Sequence, residues 1–172
     1  MRLKHLAIFA AAAVGGLSVP AMAYDTPPEL MMVVPPAPKG KGLVVFYRSA
    51  SIFGAAISCA VSENDKKISS MGVGRYFVYA AEPGKHSFSV SSEAKDQVTL
   101  ELEADEVQYV GCRIKMGIMA GRPDLFPAKE ADFRSNKKLS LSDPKSYGEG
   151  VLKPEEIATL AGVTVSTPAA AH

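Results

Sequence analysis

Glu82-Pro83-Gly84-Lys85-His86-Ser87-Phe88-Ser89-Val90-Ser91 decides the fold class. Proline presets φ near about −65° and glycine accepts a positive φ, so Glu82 to Lys85 carries the chemistry of a type II turn. Beyond the turn, His86, Phe88 and Val90 alternate with three serines. Neighbouring side chains of a strand point to opposite faces, so this is a half-buried strand with a solvated serine face. A second alternation follows, with Val98, Leu100 and Leu102 set against Thr99, Glu101 and Glu103.

Working outward, the same period recurs. Leu43-Val44-Val45-Phe46-Tyr47 is apolar on both faces, as expected of a strand covered on both sides. From Ala56 to Glu63, Ile57, Cys59 and Val61 share a face. Asn64-Asp65 is a turn signal, and Lys66 to Met71 can pair back as a hairpin. Arg75 to Ala80 reads as an aromatic-rich strand. Val110, Cys112, Ile114, Met116 and Ile118 mark one face of a long strand, with Gly111 or Gly117 as places for a bend. Short strands joined by turns, with no helices between them, predict an antiparallel β-sandwich of immunoglobulin- or transthyretin-like type over residues 42–142. Asp124 to Ala128 reads as a final strand and Lys129 to Asn136 as a short helix. Residues 143–172 read as an extension, with a helix from Pro154 through Ala161 and a disordered Ala-rich tail from Thr164.

Residues 1–23 read as a secretory signal peptide. Arg2 and Lys4 supply the positive start, Leu6 to Val14 the apolar run, and Ala21-Met22-Ala23 the small residues before a cut, so the expected new N-terminus is Tyr24. The apolar run is shorter than the roughly twenty residues that span a bilayer, which argues against an uncleaved anchor. The expected location is periplasmic or secreted, with no stable membrane insertion after cleavage. Residues 24–41 hold Pro27, Pro28, Pro35, Pro36 and Pro38 and read as an extended linker. Within it, Leu30 to Val34 is apolar and reads as a segment packed on the domain edge, with a docking peptide as the alternative.

Composition excludes some function classes. The chain has 19 Lys and Arg against 18 Asp and Glu. Loss of Arg2 and Lys4 would leave a net charge of −1. A nucleic-acid surface would show a basic excess, so no such partner is expected. Near-neutrality also gives no reason to expect strong binding to a membrane surface. The two cysteines, Cys59 and Cys112, are a candidate disulfide in an oxidising compartment; two separate buried thiols fit the spacing equally well. Two isolated cysteines do not complete a zinc site.

Catalytic signals are thin. Of three histidines, His5 lies in the leader and His172 is the last residue, so only His86 is placed to serve a site. It reads as a half-buried residue at a strand start. A hydrolase built around it is the least favoured reading, since no Gly-x-Ser-x-Gly elbow follows Tyr24. Glu101 and Glu103 read as solvated carboxylates. Arg113, Lys115 and Arg122 read as a solvated strand face, or else a small basic patch for an anion. Tyr47, Tyr76, Phe77, Tyr79 and Tyr109 read as core, with a glycan-stacking face as the alternative. No cofactor, metal ligand or catalytic residue is expected.

Several of these segments together resemble the bacterial DUF2846 family. Val44-Val45-Phe46-Tyr47-Arg48 with the loop to Gly54 is similar to its opening. Tyr76-Phe77-Val78-Tyr79, Glu82 to His86 and Glu101 to Ala104 are similar to its middle, and Tyr109-Val110 with Lys115-Met116-Gly117 to its end. The resemblance implies an exported β-sandwich without an assigned activity, in a family often lipid-anchored. This chain has no cysteine at its expected cut. The resulting expectation is a non-enzymatic envelope module that binds or scaffolds another envelope protein or a glycan. A glycan- or small-ligand-binding module using exposed aromatics is the alternative.

Overall fold

A computed structural model describes residues 24–90, 97–116 and 121–165. The expected leader, Ser91, Ile118 and residues 166–172 therefore lie outside the described residues. Those described form β1 (Gly42–Arg48), β2 (Cys59–Glu63), β3 (Lys66–Met71), β4 (Arg75–Ala81), β5 (Gly84–Val90), β6 (Gln97–Leu102), β7 (Val107–Met116), β8 (Gly121–Ala128), α1 (Glu130–Arg134), β9 (Ser140–Leu141) and α2 (Pro154–Ala161).

The strands make two sheets, in the orders β8-β7-β1-β4-β9 and β3-β2-β5-β6. Their facing sides form a sandwich core. Phe46 stacks on Phe77 at 4.9 Å between ring centres and meets Phe88 edge-on at 5.0 Å. The Pro83-Gly84 turn is where the chain crosses from the first sheet to the second. Gly84 takes a φ of 138°, which a side chain would resist.

The first sheet is mixed rather than wholly antiparallel. β1 runs antiparallel to β4 but parallel to β7, and β9 runs parallel to β4. The crossover from β1 to β7 passes through the whole second sheet, a route that no local turn signal reveals. β1 lies at the centre of this sheet and all seven of its residues are buried. That is why its sequence is apolar on both faces.

Two sequence boundaries move. Residues 24–41, expected as a linker, are a packed strap on the outer face of the first sheet. Leu30 has no exposed surface, and the Tyr76 hydroxyl donates to the carbonyls of Leu30 at 2.7 Å and Val33 at 3.1 Å. Prolines remove amide donors but leave carbonyls free to accept, so an extended strap can still be fastened. Residues 143–165 are likewise part of the domain rather than an extension. Leu152 donates its amide to Val78, Ala80 donates to Gly150, and Ile157 of α2 is fully buried. Strap, α1 and α2 together cover an outer cluster around Phe133, whose ring meets Tyr47, Tyr76 and Tyr109 at 5.5–5.6 Å. No helix among the described residues is long and apolar enough to cross a membrane.

Candidate functional site

At the end of the sandwich where β1 begins lies a polar cleft of about 390 Å³, lined from both sheets. Its floor is a hydrogen-bonded trio. Glu63 ends β2 on the same inward face as Cys59 and Val61, where a carboxylate must find partners. It finds one in each sheet. The Tyr79 hydroxyl, on β4, donates to Glu63 Oε2 at 2.7 Å, and His86 Nδ1, on β5, donates to Oε1 at 2.6 Å. The other ring nitrogen, Nε2, donates to the Glu82 carbonyl at 2.8 Å. A carboxylate and a carbonyl oxygen only accept, so this pair of contacts favours the doubly protonated ring.

The electrostatics agree. Burial pushes His86 down, but its bonds to Glu63 and to the Glu82 carbonyl outweigh burial and hold it above its ordinary value. Burial raises Tyr79, and donation to Glu63 raises it further, so it stays a neutral donor. The rim carries two exposed ion pairs, Lys41–Glu82 at 3.2 Å and Lys66–Glu149 at 2.7 Å.

His86 thus has the half-buried strand-start position read from sequence, with only 15% of its side chain exposed. Its two partners were missed. The available signal was that Glu63 continues the apolar face of β2 while His86 begins the apolar face of the neighbouring strand. A base needs a free lone pair, and both nitrogens of His86 are engaged.

Cys59 and Cys112 are bridged, with Cα atoms 6.6 Å apart, and join β2 of one sheet to β7 of the other. Glu101 and Glu103 are exposed. Arg113 and Lys115 both bind Asp124, at 2.8 and 2.9 Å, so the expected patch is partly neutralised within the strand pair. Burial raises Asp124, but the two cations outweigh it and hold its carboxyl below the usual range. Tyr47, Tyr76, Phe77 and Tyr109 are buried, so no stacking face forms from them; Tyr79 alone of the five is half-buried, at the cleft.

A family model described as a protein of unknown function, DUF2846, matches residues 38–123, half of the chain. The chain belongs to the DUF2846 family. The DUF2846 match takes in Glu63, Tyr79, His86 and both cysteines, and ends before α1, α2 and the Glu149 rim. No curated protein and no solved structure matches the chain.

Proposed function

We propose that this DUF2846 protein is an exported, non-enzymatic binding module that holds a charged segment of another envelope protein in the cleft beside His86. One observation carries the reading: Glu63 and both nitrogens of His86 are engaged with each other and with Tyr79 and Glu82. The trio then builds the floor of the cleft instead of moving protons. The rim pairs Lys41–Glu82 and Lys66–Glu149 are exposed, and exposed pairs are weak, so they can exchange partners with a ligand of mixed charge. Export to the periplasm or beyond, with cleavage after Ala23, is supported by the leader pattern and by a disulfide that persists in oxidising compartments. A glycan-stacking module is less favoured, because the aromatics it needs lie in the two cores.

The test joins two measurements. Purified protein is assayed on ester, amide, glycoside and phosphoester reporters, and a photocrosslinker is placed at Lys67 on the rim in producing cells. The expected result is no turnover and a discrete protein adduct that disappears in Glu149→Lys. Turnover lost in His86→Ala, or the absence of an adduct, would overturn the reading.

A further inference from the structure

The opposite end of β1 presents an apolar tip. Ile52 is 91% exposed, Phe53 50% and Met116 78%, the three exposed large hydrophobic side chains among the described residues. The loop carrying the first two is not loosely held. The buried guanidinium of Arg48, the last residue of β1, donates to the carbonyls of Ile57 and Gly54. Amides of Ala55 and Ile57 close two turns onto Ile52 and Gly54. Gly54, at a φ of 66°, seats the loop on Ile114, where an added Cβ would lie 2.8 Å from that side chain. A braced loop thus holds Ile52 and Phe53 out in water, while Met116 projects from the end of β7.

Charge and chain direction say what covers this tip. Beside it, among the described residues of β7 and β8, Arg113, Lys115 and Arg122 stand against one carboxylate, Asp124. The strap also begins at this end. Arg75, paired in register with Arg48, donates to the Tyr24 carbonyl at 3.1 Å, so the point where residues 1–23 join the domain lies at the tip end of the first sheet. A self-paired contact between two copies would set the three cations against their own copies. Three side chains also fall far short of the roughly 800 Å² per partner of a stable protein interface. Apolar residues beside a cationic excess suit an anionic lipid surface, where rings and aliphatic chains enter the headgroup boundary and Lys and Arg meet the phosphates.

We infer that the tip formed by Ile52, Phe53 and Met116 docks this domain shallowly on an anionic membrane, with Arg113 and Lys115 against the headgroups and the His86 cleft directed away. This is peripheral contact and leaves no segment spanning the bilayer. The test is vesicle co-sedimentation of the chain from Tyr24 onward, which contains every described element and lacks the apolar leader that would bind by itself. Phosphatidylcholine vesicles with and without phosphatidylglycerol are compared. Binding is expected on the anionic vesicles, weakened by raising salt from about 0.1 M to about 0.5 M. A loss of about tenfold is expected in Ile52→Ser/Phe53→Ser, with a smaller loss in Met116→Ser. These positions are exposed, so the melting temperature stays unchanged. Wild-type protein that leaves anionic vesicles unbound, or binding that survives the double substitution, overturns the inference. So does a concentration-dependent dimer that the double substitution abolishes, since that makes a second copy the occupant. Crosslinking at Lys67 reads the other end of the domain and fails or succeeds independently.

Discussion

Tyr79 reaches across the sandwich to Glu63: its hydroxyl, on a strand of the first sheet, donates at 2.7 Å to the carboxylate that ends β2 in the second. Four residues earlier on the same strand, Cys59 is bonded to Cys112 of the first sheet. The five-residue strand β2 is therefore fastened to the opposite sheet at both of its ends, once by a hydrogen bond and once covalently.

The polar fastening has a measurable strength. Tyr79→Phe and Glu63→Gln are each expected to destabilise the domain by about 1–2 kcal/mol, and a double-mutant cycle between them should give a coupling near about 1 kcal/mol. Urea denaturation of the four proteins checks it. Additive losses would mean that the two side chains do not interact.

The covalent fastening closes a loop spanning a sequence separation of 53. In the chain-entropy account, replacing both cysteines by serine costs about 4 kcal/mol. Native protein denatured without reductant is expected to contain no free thiol; two free thiols would refute the bridge.

The His86 contribution depends on pH with a definite sign. Its value is raised in the folded state, so the fold favours the protonated ring. The stabilisation is complete below the unfolded value of about 6.5 and fades as pH rises through the higher folded value. The gap in melting temperature between wild type and His86→Gln should therefore be widest near about pH 6 and shrink toward about pH 9. A gap that grows with pH would refute the Nδ1–H to Glu63 bond.

The strap is tested by Leu30→Ala. Removing a fully buried leucine from the outer cluster is expected to cost about 3 kcal/mol, with the cavity adding to the lost transfer energy. A loss under about 0.5 kcal/mol, typical of a surface position, would show that residues 24–41 are a linker after all.

The legible parts of this fold were those fixed by local period and turn chemistry. Phe88 and Val90 against the serines, and Val98, Leu100 and Leu102 against Thr99 and Glu101, gave β5 and β6 with the correct face inward. Pro154 with two acids in the first turn gave α2 at its observed bounds. The loss came where distant segments meet. Nothing near Val107 says that it pairs parallel to Leu43. Leu30 to Val34 read as a segment packed on the domain, and Leu30 is core; the prolines spoke only against regular structure and gave no sign that the carbonyls around Leu30 hold Tyr76. For the site, His86 was legible as a ring at a strand start, while Glu63 appeared only as the last residue of its strand. Their meeting depended on β2 lying beside β5 rather than only beside its hairpin partner β3.

The outer cluster also sets an order of events. Leu30 belongs to the first part of the domain to leave a ribosome or a translocation pore, while Phe133, Leu139 and Ile157, which share its cluster, belong to the last. In a chain threaded N-terminus first, the earliest packed residue must wait for the latest before it can be sheltered from water. β1 must likewise wait for β7 across a separation that a short loop cannot bridge. The topology thus works as a delay: the domain cannot complete its third layer until its last residues are free to pack against its first.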